Sequence, residues 1–114
     1  MAIYKRTARE RQARDRQALL ARRESAWTVA HQAARLLRER FGATRVIAFG
    51  SLAHGAWFHA RSDIDLAAAG IAPDDYFSAG AALDHLTSLF EFDLIRCESA
   101  PARLLQSIQQ GVEI

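Results

Sequence analysis

The chain opens on a long segment whose apolar positions follow a helical period. Leu20, Trp27, Ala30, Ala34, Leu37 and Phe41 recur at spacings of seven, then three and four, which is the packing stripe of an amphipathic helix. No Gly or Pro interrupts between Ala8 and Phe41, and Gly42 is placed to end the run. Thr7-Ala8-Arg9-Glu10 has the form of a capping box and sets the expected start near Ala8. Extending the stripe backward reaches Ala13, but Arg16 and Arg23 take the alternate positions. The first half of this helix is therefore expected to have little to bury and to project, bind a partner or fray.

Beyond Gly42 the pattern shortens. Arg45 to Phe49 reads as a buried strand ended by Gly50, residues 51 to about 56 as a short helix with Ser51 at its N-terminus, and Trp57 to Ser62 as a loop. Asp63 to Ala69 alternates as a strand, with Ile64, Leu66 and Ala68 turned to the core. Pro73 followed by Asp74 and Asp75 announces a helix carrying Tyr76, Ala79, Leu83, Leu86 and Phe90 on one side. Glu91 to Arg96 alternates again, with Phe92 and Asp93 on opposite faces. Ser99 is placed to cap a last helix with Pro101 in its first turn and Gly111 at its end, and Val112 to Ile114 can add a strand stub.

Composition adds one distinction. The 114 residues suffice for one small domain with its own core, half hydrophobic and a quarter charged. The net charge of +2 conceals a division. Residues 1–40 carry Lys5 and ten arginines against four acids, a net of +7, whereas residues 41–114 carry four arginines against nine acids, a net of −5. We divide the chain accordingly into a basic helical arm, residues 1–24, and a domain, residues 25–114. The arm has three readings: a helix that is solvated or docks on its own acidic body, a surface for a protein partner or for self-association, and, less favoured because acids are interspersed and aromatics absent, a nucleic-acid contact. A single cysteine, Cys97, forms no internal disulfide, which points to a reducing compartment with the cytoplasm as default. Its thiol is expected to be buried and structural. No apolar run reaches the length of a membrane span, and Glu10 and Asp15 argue against a transit peptide.

The candidate chemistry lies between Gly50 and Leu66. A strand that ends in Gly50-Ser51 and opens a helix offers free backbone N–H groups and a hydroxyl suited to phosphate oxygens. Asp63 and Asp65 are one residue apart in a strand, so they point the same way with Cα atoms roughly 6.5–7 Å apart. Magnesium is commonly held by one or two carboxylates together with substrate phosphates, and Asp93 on the next strand can bring a third carboxylate to the same place. The alternative is that these are strand-edge acids facing solvent. Arg61 can reach a phosphate or remain an exposed loop arginine. His54 and His59 are expected to be solvated, as are His31 and His85, and Trp57 and Phe58 to cover the core beneath the loop. No Cys/His spacing suits zinc.

Gly50-Ser51, the intervening loop, Ser62-Asp63-Ile64-Asp65-Leu66 and Phe92-Asp93-Leu94 together resemble the minimal nucleotidyltransferases of the DNA polymerase β-like superfamily, over roughly Trp27 to Ile114. The resemblance implies an α/β (α+β) fold, a small mixed sheet flanked by helices, here with a long basic N-terminal helix. It implies ATP as substrate, two magnesium ions, and transfer of AMP to a hydroxyl. Asp63, Asp65 and Asp93 would be the catalytic and metal-binding carboxylates, Asp93 the base for the acceptor, and Gly50 and Ser51, with Arg61, the nucleotide-binding residues. Many minimal members are similar to antitoxins that act beside a HEPN-type toxin and modify its tyrosine, which implies a partner protein as acceptor. Two alternatives stay open: a non-catalytic antitoxin that neutralises its partner by contact, and a transferase acting on a small molecule or RNA.

Overall fold

The structure, a computed structural model, describes the backbone of residues 2–114 and the side chains of residues 7–114. Lys5 and Arg6 of the basic arm therefore lie outside the described side chains. Helix α1 spans Ala2–Phe41. The helix runs through Thr7-Ala8-Arg9-Glu10, so that box does not mark its start; every residue between is compatible with helix, and a capping sequence stops nothing without a breaker upstream. The element ends at Gly42, in the left-handed region at φ 73°.

Four strands form one mixed sheet. β1 (Arg45–Phe49) pairs antiparallel with β2 (Ile64–Ala69) and with β4 (Val112–Glu113), and β2 pairs parallel with β3 (Phe92–Arg96), giving the order β3-β2-β1-β4. α2 (Ser51–His54) is a single turn, shorter than expected, and Asp63 stands just before β2 rather than inside it. Pro73–Asp75 forms a 3-10 turn that leads into α3 (Tyr76–Leu86). α3 stops at Leu86 instead of reaching Phe90 because Thr87 turns extended and its hydroxyl accepts the Leu89 N–H; Phe90 is buried all the same. Ser99 does not cap the last helix. It closes a 3-10 turn, Cys97–Ser99, and α4 (Ala102–Gln109) starts after Pro101 with no side-chain cap.

Pleating divides the sheet residues between two cores. On one face Val46, Ala48, Ile64, Leu66, Ala68 and Leu94 meet α1 and α3. α1 presents Ala26, Val29, Ala30, Ala33, Ala34 and Leu37 there, which keeps Ala30, Ala34 and Leu37 of the expected stripe, with Trp27 and Phe41 half-buried beside them, while Leu20 is 57% exposed. Four alanines on that face let the helix axis approach the sheet closely, which a stripe built on Leu and Trp would not. On the other face Ile47, Phe49 and Ala67 are covered by Ile108 of α4. The C-terminal segment is tied back by Arg45 to Glu113 at 2.6 Å and by Arg38 to the Ile114 carbonyl. Among the described residues no helix is long and apolar enough to cross a membrane.

Candidate functional site

The antiparallel register places Phe49 opposite Asp65, and the parallel register places Asp65 beside Asp93. Neighbouring strands lie about 4.8 Å apart, so Asp65 and Asp93 occupy one sheet end side by side. Both fall on the face that carries Ile47 and Phe49, at the end that α4 leaves uncovered. Asp63, two residues before Asp65, sits at the same mouth and is exposed, as is Asp93; Asp65 is half-buried.

Gly50 closes the site from the β1 side. Its backbone lies at φ 72°, ψ −147°, a region in which a side chain is strained. A Cβ there would stand 2.3 Å from the Asp65 Oδ2. The carboxylate thus rests directly against the turn, and only glycine lets the two meet. The first intrahelical bond of α2 is from the His54 N–H to the Gly50 carbonyl at 3.1 Å, which leaves the amides of residues 51–53 ahead of the ladder. With one turn only, α2 contributes little macrodipole; the usable feature is its free amides and the half-buried Ser51.

The electrostatics are those of an acid cluster without a cation. Burial first, then the charge of Asp93 and that of Asp63, push the Asp65 carboxyl up from 3.8 to about 6. The ion pairs among the described residues, Arg35–Glu39 and Arg45–Glu113, lie elsewhere. Among the described residues no three Asp, Glu, His or Cys side chains are already gathered as a metal cage. The donor set nonetheless suits magnesium, which takes hard oxygen ligands and needs only one or two carboxylates when phosphates and water fill the remaining positions. A divalent cation would also relieve the repulsion that raises Asp65.

Several residues outside the expected set hold the site in shape. Arg23 of α1 donates from Nε at 3.3 Å and from Nη2 at 2.9 Å to the Leu52 carbonyl, pinning α2 from below. Its neighbour Arg22 stacks its guanidinium over Phe90 at 4.4 Å. Neither is a free cation of a solvated arm, and a bond spanning 29 residues leaves no local sequence signal. Ser62 is buried; its hydroxyl accepts the His59 N–H at 2.8 Å and orients the turn that delivers Asp63. Arg61 is exposed, and its backbone N–H donates to His59 Nδ1. His54 and His59 are exposed as expected. Trp57 and Phe58 part company: Phe58 is in the core, whereas Trp57 is 74% exposed. Cys97 is only half-buried, its thiol pushed up by that partial burial. It borders a cavity of about 340 Å³ under α4, at the opposite end of the sheet face from the aspartates.

No protein-family model matches the chain, and no curated protein matches it. Solved structures do. A chain of a toxin–antitoxin complex determined with AMP-PNP matches at TM-score 0.62 and 25% identity, over 74% of this chain and 70% of that one. The MntA–HepT toxin–antitoxin matches at TM-score 0.57 and 21% identity, over 76% and 69%. A mutant of that complex, with two aspartates two positions apart replaced by glutamate, matches at TM-score 0.60 and 21% identity, over 74% and 70%. The chain shares its fold with these toxin–antitoxin structures over about three-quarters of its length; here that fold is a four-stranded mixed sheet with helices, preceded by the long helix α1.

Proposed function

We propose that this chain, with the fold of the minimal nucleotidyltransferase antitoxins, transfers AMP from ATP to a hydroxyl of a macromolecular acceptor, a tyrosine of a partner toxin. The observation that carries the reading is the contact of Gly50 with Asp65, which in turn lies in register with Asp93. A phosphate-type turn and the carboxylates converge on one point. A relative solved with AMP-PNP and relatives solved as toxin–antitoxin complexes support both ligand and partner.

In this reading the amides and hydroxyl at Gly50-Ser51 cradle the triphosphate, with Arg61 close enough in sequence to reach a phosphate. Asp63 and Asp65, with Asp93, hold magnesium, two ions on the analogy of two-metal transferases. Magnesium, when bound with the nucleotide, neutralises phosphate charge and lowers the pKa of the acceptor hydroxyl. The acceptor oxygen attacks the α-phosphorus, the bond to the bridging oxygen of the β-phosphate breaks, and pyrophosphate leaves. The hydroxyl proton passes to the Asp93 carboxylate. Orientation and charge neutralisation account for most of such catalysis. We assign residues 1–24 to an arm and residues 25–114 to the transferase domain, and place the protein in the cytoplasm.

Incubation with α-labelled ATP, magnesium and the protein encoded beside this chain tests the reading. Label is expected on a tyrosine of that neighbour and is expected to vanish with Asp65→Asn; label that persists in the variant overturns the site. A second reading, neutralisation by contact alone, is favoured by the exposure of α1 from Arg9 to Ala18. Under it, Asp63→Asn/Asp65→Asn still neutralises the partner, and removal of residues 1–18, which spares the contacts of Arg22 and Arg23, does not.

A further inference from the structure

The body holds α1 from Leu19 onward. Leu19 packs on the core, Arg22 lies over Phe90 and Arg23 donates to the Leu52 carbonyl. Ahead of them every side chain from Arg9 to Ala18 is exposed. The molecule is 62 Å long but only 28 by 18 Å across, and a 40-residue helix accounts for that length at about 1.5 Å per residue. The arm stands clear of the body.

What the arm carries narrows its partner. Its described arginines ahead of Leu19 are Arg9, Arg11, Arg14 and Arg16, and none of them enters the ion pairs among the described residues, Arg35–Glu39 and Arg45–Glu113. Residues two apart lie on opposite sides of a helix, so Arg9-Glu10-Arg11 and Arg14-Asp15-Arg16 each put one arginine on either side. Arg9 and Arg16, two turns apart, share one side; Arg11 and Arg14, one turn apart, share the other. Glu10 and Asp15 fall between the two. The largest apolar side chain from Arg9 to Ala18 is alanine. A protein interface is built on an apolar core and a membrane-surface helix on an apolar face, and this segment supplies neither. Nor does it hold an aromatic side chain on which single strands could stack. A duplex requires none of these, because neutralising its phosphates releases condensed counterions. Arginines on opposite sides of one helix match the two phosphate walls of a groove. A helix about 10–12 Å across enters the roughly 12 Å major groove of B-form DNA but not the deep, narrow one of A-form RNA.

We infer that the arm is a contact for duplex DNA: residues 9–18 lie in the major groove, with Arg9 and Arg16 on one phosphate strand and Arg11 and Arg14 on the other. Recognition is by backbone charge and tolerates sequence. The remainder of the chain, residues 41–114, has four arginines against nine acids and repels the same polyanion, which confines the contact to the arm. The inference goes beyond the transferase reading and does not depend on it.

The test is fluorescence polarisation of a labelled DNA duplex of about 20 base pairs, titrated with the full chain between about 50 and 200 mM salt. With about four phosphates neutralised, log K is expected to fall against log salt with a slope of about −3 to −4. Arg9→Gln/Arg16→Gln and Arg11→Gln/Arg14→Gln, which keep good helix formers, are each expected to halve the slope and to weaken binding at least about tenfold at the lower salt. Arg103→Gln, exposed on α4, is expected to change neither. An RNA duplex of the same sequence is expected to bind at least about tenfold more weakly than the DNA. No binding at about 50 mM salt, unaltered binding in both double variants, or equal binding of the RNA duplex overturns the inference. Tighter binding of polyglutamate or of vesicles containing anionic lipid overturns it as well, in favour of an acidic protein or a membrane surface.

Discussion

Replacing Asp65 by asparagine should stabilise the ligand-free protein while abolishing its chemistry. The carboxyl titrates near 6 in the fold against 3.8 in a free chain. Between those values the native state holds a proton that the unfolded chain has released, so stability falls as pH rises through that window and is level above it. At about 1.4 kcal/mol per pH unit, the charged form costs the fold at most about 3 kcal/mol. Asp65 is only half-buried, and solvent screening reduces this to about 1–1.5 kcal/mol. Asp65→Asn removes the charge and keeps the shape, so its Tm near pH 7.5 should rise by about 4–6 °C. Near pH 4, where Asp65 is protonated in the fold, the two proteins should melt together. Thermal melts by circular dichroism across that range, without magnesium, measure the difference directly. Magnesium with ATP should raise the Tm of the parent by mass action and leave the variant unmoved. A variant that melts lower than the parent near neutral pH, or a gap that does not close on acidification, would refute the account of Asp65 as a repelled and desolvated acid.

Two further substitutions test the geometry around it. Gly50→Ala combines a strained backbone with a Cβ 2.3 Å from the Asp65 Oδ2; it should cost about 1–3 kcal/mol in denaturant titration and abolish the thermal shift with magnesium and ATP. Arg23→Ala frees the Leu52 carbonyl and should cost about 1–2 kcal/mol. Because Arg23 touches α2 and not the acids, it should raise KM for ATP several-fold with a smaller effect on kcat, and Arg23→Lys, which loses the guanidinium fork, should recover only part of that.

Much of the fold was legible because its signals are local. The apolar run before Gly50, the alternation around Asp63 and Asp65, and Phe92-Asp93 each announce a strand and the face its acids take. The sheet order was not, since pairing β2 with both neighbours is a tertiary choice; the family resemblance implied a mixed sheet and no order. The expected stripe of α1 includes Ala30, Ala34 and Leu37, which are buried, but omits Ala26, Val29 and Ala33, which are buried beside them. Arg23 falls in the basic arm, for which docking on the body was one of several open readings; its partner, the Leu52 carbonyl, is 29 residues away and leaves no local signal.

The eleven residues between Ser51 and Asp63 do not set the distance between the phosphate turn and the acids. That distance follows from the antiparallel pairing of Phe49 with Asp65, because Gly50 succeeds Phe49 and meets the Asp65 carboxylate across the same ladder. The intervening loop has a different task. Phe58 anchors it in the core, and the Ser62 hydroxyl holds the His59 N–H at the turn before Asp63. It therefore governs the angle at which the exposed Asp63 joins Asp65. Gly50, Asp65 and Asp93 are thus placed by the sheet, whereas Asp63 stands on the loop that precedes β2. Asp65, the half-buried member, is the one whose carboxyl is pushed up, first by burial and then by the charges of Asp93 and Asp63.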